Sequence, residues 1–486
     1  MRFSYLSAVV LVAYAEIFSV AGDDALKEDE EDYPWRILDR IDEIHDDVDW
    51  PEWIADQEDD HEDLTLSGFE SWHILRNEST ARPPIVLLPG MASSRLVNWR
   101  EKHCAFLNSI RPKDVVWLNL GKLVETRTFD PKCWLECMKL DPGGKDLSVN
   151  ISVPSRTEKR PKSQCALRPA EGLDAVSVLA PGVVSGRLSR VFEPLIDLLV
   201  SHLRYEGGRS LFGIGYDWRL SPRRMQERDG TFSKLKAVIE RAVELNQRPA
   251  VIMAHSMGNL MVGYFVDWLY KKIGSRAEWR AWIGRHIFSY VALGAPLLGA
   301  AGALKPSVSG ETFGLQLTEE QARSMELTFD STHWLNPRRT TSRRHRLTRG
   351  NWPKDLIRIR PHSRSNRTVA FGIDDVANGG LFRWLKQDAM KMDSIDEELR
   401  LAIGNKHSAL RREFWEDPVG NPMKGPVQRP PFKHVIAAYG VDVPTDVAYR
   451  YVRDNARPWQ FLLEESLVET EQGGVWANRH LTDSSQ

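Results

Sequence analysis

The sequence predicts an α/β fold, with a mostly parallel sheet covered by helices. Two observations predict it. From Pro84 onward, apolar runs of strand length alternate with amphipathic helical runs, which is the rhythm of parallel strands joined by crossover helices. One such run, Pro249-Ala250-Val251-Ile252-Met253-Ala254, stops abruptly at His255-Ser256-Met257-Gly258. A helix pattern then runs through Met261, Phe265, Trp268 and Leu269. With 486 residues, the chain has room for one large domain with insertions, or for two domains.

The elements follow in order. Residues 1–21 have a basic start, an apolar run to Ala15 and small residues at Ser19-Val20-Ala21. They read as a cleaved signal peptide, with an uncleaved signal anchor as the alternative. Residues 22–82 are strongly acidic and read as a solvated, partly disordered extension. From 83 to 478 the chain reads as the main domain. Pro84-Ile85-Val86-Leu87-Leu88-Pro89-Gly90 is a buried strand entering a turn. The stretch from about 99 to 170 is irregular and holds all four cysteines, with Trp117, Leu118, Leu120, Leu123, Trp134 and Leu135 among charged residues. It reads as a disulfide-stapled lid whose exposed Trp and Leu touch a membrane or acyl chain. The alternative is that they pack beneath the insertion.

The α/β rhythm returns with a strand over Val176–Gly182 and a helix over Val191–Tyr205. A strand over Ser210–Tyr216, a helix over Thr231–Asn246 and a strand over His286–Leu293 follow. From about 305 to 430 the pattern breaks into a cap insertion. Its arginines, from Arg338-Arg339 to Arg367, form a basic stretch. A solvated loop, contact with anionic lipid headgroups and pairing with the acidic extension are the three readings. Val435–Gly440 is a late strand, and residues 479–486 form the tail.

Strand, tight turn and helix with Ser256 at the tip is the nucleophile elbow of an α/β-hydrolase fold. Ala254 and Gly258 supply the small residues the turn needs. The alternative is a serine in an ordinary βα turn. In this fold one oxyanion donor follows the nucleophile and the other lies on the loop after an early strand. That assigns the N–H groups of Met257 and Met91, where the alternative for Met91 is an ordinary turn residue. A net charge of −2 gives no case for nucleic acid, and nothing in the motifs calls for a cofactor or metal. Asn77, Asn150 and Asn366 head glycosylation triplets. Cys104, Cys133, Cys137 and Cys165 fit two disulfides of an oxidising compartment. Zinc is the rival, with only one close pair at Cys133 and Cys137.

Several motifs in one order resemble the lecithin:cholesterol acyltransferase family, most closely its phospholipid:diacylglycerol acyltransferase branch. They are Pro89-Gly90-Met91-Ala92-Ser93-Ser94, Cys133-Trp134, Tyr216-Asp217-Trp218-Arg219-Leu220-Ser221, His255-Ser256-Met257-Gly258-Asn259, Gly294-Ala295-Pro296-Leu297-Leu298-Gly299, Thr328-Phe329-Asp330-Ser331-Thr332 and Tyr439-Gly440-Val441. The resemblance implies an α/β-hydrolase fold with cap and lid. It implies acyl transfer from a phospholipid to diacylglycerol or a sterol, at a membrane surface, in the endoplasmic reticulum lumen or after secretion. It implies a lid disulfide between Cys104 and Cys133, which leaves Cys137 and Cys165 as the second pair. Family members complete a Ser-Asp-His triad through a Gly-Asp-Gly-Thr-Val-Pro-like segment and a later His. Here Gly473-Gly474-Val475-Trp476-Ala477-Asn478 leads into a tail with His480 and Asp483 in the reverse order. The expectation is a chain without the Asp and His segment, with an open sheet edge where that segment would pack. Such a chain reads as a truncated gene model of an acyltransferase or a product lacking full activity, with a phospholipase or lipase of the same fold and a non-catalytic lipid-binding protein as the alternatives.

Overall fold

A computed structural model describes residues 82–103, 109–118, 131–142, 145–146, 165–180, 189–312, 315, 317–338, 352–361, 367–410, 430–440, 445–469 and 475–479. The expected signal segment, nearly all of the acidic extension, Cys104, the three acceptor asparagines, His480 and Asp483 lie outside the described residues.

The central sheet has five strands, all parallel: β1 (Ile85–Leu88), β2 (Leu211–Gly213), β3 (Ala250–His255), β4 (Ile287–Leu293) and β5 (His434–Ala438). Their spatial order is β5-β4-β3-β1-β2. β1 is buried on both faces, as its unbroken Ile-Val-Leu-Leu run requires. Val86 and Leu88 pack into one core with Ile252, Leu260 and Phe265. Ile85 and Leu87 face the other way, into a second core with Val176, Phe192 and Leu199.

Helices cover both faces because their apolar residues fall on one stripe. On one face lies α1 (Glu193–Ser201), through Leu199. On the other lie α2 (Thr231–Asn246), through Phe232, Leu235 and Ile239, and α3 (Met257–Ile273), through Met261, Phe265 and Leu269. α3 stops at Gly274, whose φ of 79° a side chain would resist. The expected helix over Val191–Tyr205 is shorter than its pattern, and the expected Thr231–Asn246 helix has its predicted ends.

The strand expected over Val176–Gly182 is a correction. Leu173–Ala175 forms a 3-10 turn, and among the described residues that follow, up to Ala180, there is only one isolated bridge, Val178 to Arg190. Val176 and Ala175 are buried by packing under the sheet, so the apolar run reflects burial without a ladder.

The sequence reading missed a second sheet. Val369–Phe371, Ile357–Arg360, Thr445–Arg453, Phe461–Glu469 and Val475–Arg479 lie side by side in that order. Only the Ile357–Arg360 pairing with Thr445–Arg453 is parallel. The sheet backs onto its own core of Leu304, Ile357, Ile359, Leu385, Leu399, Tyr449 and Phe461. Val475–Arg479, read as the approach to the triad segment, pairs here with Glu465–Glu469 and not in the central sheet.

The expectation of exposed Trp and Leu between 99 and 170 is corrected in part, for Trp99 at its start is exposed. Trp117, Trp134 and Leu135 are buried in the main core. The Trp134 indole donates to the Val116 carbonyl at 3.1 Å. Cys137, in the helix Pro131–Met138, is bonded to Cys165, and Cys133 is disulfide-bonded as well. Of the basic stretch, Arg358 pairs with Asp355 and Arg360 with Glu464.

β5 stands apart. Val435 and Ile436 point to opposite faces and both are exposed, beside the exposed Phe288 of β4 and Tyr439. Among the described residues no strand pairs with its outer side. No helix among them is long and apolar enough to cross a membrane.

Candidate active site

β3 ends at His255, and α3 begins at Met257, so Ser256 alone makes the turn. It does so at φ 51° and ψ −124°. A non-glycine residue held at positive φ is strained, and such strain persists only where the surroundings enforce it. Here the enforcement is visible. The Ser256 N–H donates to the Leu293 carbonyl at 2.9 Å, at the end of β4. The Asn259 amide donates to the carbonyls of Ser256 at 2.9 Å and Leu293 at 3.2 Å. The Tyr290 hydroxyl in turn donates to Asn259 at 2.6 Å. Asn259, part of the quoted motif, and Tyr290, which sequence reasoning did not single out, hold the turn in place.

The near-collision of strand and helix is equally plain. A Cβ on Gly258 would sit 2.6 Å from the Leu88 carbonyl oxygen and 2.7 Å from that of Pro89. Only glycine fits there. A Cβ on Gly90 would lie 2.9 Å from Ser256 Cβ, 3.3 Å from its Oγ and 3.4 Å from His255 Nδ1. The loop after β1 therefore abuts the serine. Within that loop and at the start of α3, the Met91 and Met257 N–H groups have no hydrogen-bond acceptor among the described residues. Free donors beside an elbow serine, at a helix N-terminus, suit an anionic oxygen.

Ser256 Oγ likewise has no hydrogen-bond partner among the described residues. His255 is the nearest imidazole along the chain. It is buried, its ring meets Phe192 edge to face at 6.4 Å, and burial lowers its pKa to about 4. That keeps its imidazole neutral near pH 7. His480 and Asp483 lie outside the described residues.

Behind the site sits a buried ionic cluster from the Tyr216-Asp217-Trp218-Arg219 motif. Arg219 grips Asp217 with two bonds, of 2.8 and 2.6 Å, and Arg228 adds a third at 2.5 Å. Burial alone would raise the Asp217 pKa, but the two guanidiniums overcome this and hold it well below the usual range. Arg219 also donates to the Met138 carbonyl at 2.9 Å, tying the disulfide-bearing helix to the sheet. No group of three or more His, Cys, Asp or Glu among the described residues is placed to hold a metal.

A model of the lecithin:cholesterol acyltransferase family matches residues 113–478. The chain belongs to the lecithin:cholesterol acyltransferase family. Among its relatives, a phospholipid–sterol O-acyltransferase of Arabidopsis thaliana is 30% identical over 431 residues, covering 79% of this chain and 63% of that protein. A phospholipid:diacylglycerol acyltransferase of Saccharomyces cerevisiae is 25% identical over 408 residues, covering 77% and 57%. A lysosomal phospholipase A and acyltransferase of Canis lupus familiaris is 28% identical over 272 residues, covering 53% and 58%. This family member thus spans less than two thirds of each of these relatives.

Proposed function

We propose that the protein is an O-acyltransferase that moves a fatty acyl group from a phospholipid to diacylglycerol or a sterol, working at a membrane surface inside the secretory pathway. The observation that carries this is Ser256 at positive φ between β3 and α3, in a chain of this family. Ser256 Oγ attacks the ester carbonyl and gives its proton to a base. The Met91 and Met257 N–H groups stabilise the tetrahedral oxyanion. Collapse, with the base passing that proton to the leaving oxygen, releases the lysophospholipid and leaves an acyl-serine. The acceptor hydroxyl then attacks, forms the new ester and restores Ser256. Transfer in place of hydrolysis requires water to be kept out, which is the task assigned to lid and cap.

A phospholipase of the same fold is the second reading, because one relative carries both activities in its name. The deciding experiment supplies vesicles of acyl-labelled phosphatidylcholine with diacylglycerol, with sterol, or with neither. Labelled triacylglycerol or sterol ester supports transfer, and free fatty acid alone in all three sinks it. Undiminished product from Ser256→Ala removes Ser256 from the mechanism. Slow fluorophosphonate labelling of Ser256 with no turnover would leave a lipid-binding protein.

A further inference from the structure

Three aromatic side chains with no part in this reaction scheme hold the loop that carries Met91. Tyr216 donates its hydroxyl to the Pro89 carbonyl at 2.6 Å. Trp117 donates its indole N–H to the Ala92 carbonyl at 2.7 Å. Trp218 donates to the Ser94 carbonyl at 3.2 Å. The three acceptors bracket Met91, one on the near side and two beyond it. All three donors are buried, where an indole N–H or a phenol hydroxyl needs an acceptor. The donors also brace one another, since the Trp117 and Trp218 rings meet edge to face at 4.9 Å.

The loop has reason to need such support. Ala92 sits at φ 58°, where its Cβ is disfavoured. Gly90 is pressed against Ser256. An N–H group stabilises a developing charge only if it stays fixed as the charge forms. Burial raises the Tyr216 hydroxyl well above its ordinary range, so it remains a donor.

We infer that Trp117, Tyr216 and Trp218 form a clamp that fixes the Pro89–Ser94 loop and so sets the position of the Met91 N–H beside Ser256. They are positioning residues. The inference rests on the roles given above to Ser256 and Met91. It also gives the disulfide-bearing segment a direct hold on the catalytic loop through Trp117.

The test uses Trp117→Phe and Tyr216→Phe in the full chain, which keep the rings and delete the donors. Hydrogen exchange is followed in peptides spanning Met91, β3 and α3, beside kcat and KM on phosphatidylcholine vesicles. The clamp predicts exchange at Ser93, whose N–H donates to the Gly90 carbonyl across Met91 at 3.3 Å, faster by about tenfold or more, with β3 and α3 still protected. It predicts kcat lower by about tenfold or more with KM within about twofold. Exchange at Ser93 unchanged in folded variants overturns the clamp. So does exchange that rises equally in all three regions while the folded fraction keeps its kcat, since that is a purely structural effect. If Ser256→Ala keeps full turnover, the serine reading fails on its own, and the exchange measurement still decides whether the clamp exists.

Discussion

Gly90→Ala puts one methyl group where the structure has none to spare. Carbon atoms in good contact lie about 3.5–4.0 Å apart, whereas the new Cβ would be 2.9 Å from Ser256 Cβ. The shortfall is about 0.6–1.1 Å. Ser256 has nowhere to retreat, because its N–H is fixed to Leu293 and Gly258 already touches the Leu88 and Pro89 carbonyls. The β1 loop must give way, and Met91 moves with it. Gly90 is not at positive φ, so the backbone accepts alanine and the effect is steric alone. A displacement near 1 Å costs about 100-fold in rate, and overpacking costs about 1–3 kcal/mol of stability. The assay is kcat and KM for acyl release from phosphatidylcholine, with thermal unfolding alongside. We expect a folded protein with kcat down about 100-fold and KM nearly unchanged. A folded Gly90→Ala protein with full turnover would refute the packing argument and with it the placement of the oxyanion loop.

Three further outcomes are expected. Asp217→Asn deprives buried Arg219 of its two-bond carboxylate partner, while Arg228 keeps Asp229, and should cost about 3–5 kcal/mol in urea unfolding. Replacing Cys137 and Cys165 with alanine opens a link spanning 28 residues and should cost about 3–4 kcal/mol by chain entropy. Stability should also fall in acid. Burial lowers the His255 pKa to about 4 and that of His333 to about 3, both below the value in the unfolded chain. Above about pH 6.5 both states are neutral and stability is flat. Below that the unfolded chain takes up protons first, so each histidine removes about 1.4 kcal/mol per pH unit until its folded pKa is reached. An unfolding free energy equal at pH 7 and pH 4.5 would contradict this.

What the sequence made legible was local and periodic. β1, β3 and α2 are runs whose apolar spacing has one structural solution, and the Ser256 turn is written in Ala254 and Gly258. The signals that failed were those in which burial and ladder formation part company. Val176 is as buried as any strand residue, yet it lies under the sheet and not in it. The second sheet did leave a trace, for Ile357-Arg358-Ile359-Arg360 alternates buried and open as a half-buried strand should. Its arginines drew attention to charge instead. Trp117 and Trp134 show the remaining limit. A tryptophan among charged residues has no local mark of whether a partner surface arrives from elsewhere, and here Ala92 and Val116 supply the acceptors. Gly90 and Asn259 matter through what approaches them in space, which spacing along the chain does not record.

The packing of Trp117 against Trp218 also gives the protein a built-in optical probe. Two indoles held edge to face in the dry interior are rigid, chiral chromophores, and they emit at shorter wavelength than indoles in water. Each is hydrogen-bonded to a different carbonyl of the loop beside Ser256. Any ligand that shifts that loop must change the mutual angle of the two rings. The chain has 17 Trp, so the part of the near-ultraviolet circular dichroism and intrinsic fluorescence that Trp117→Phe or Trp218→Phe removes is the signal that reports on the loop, before any product is formed.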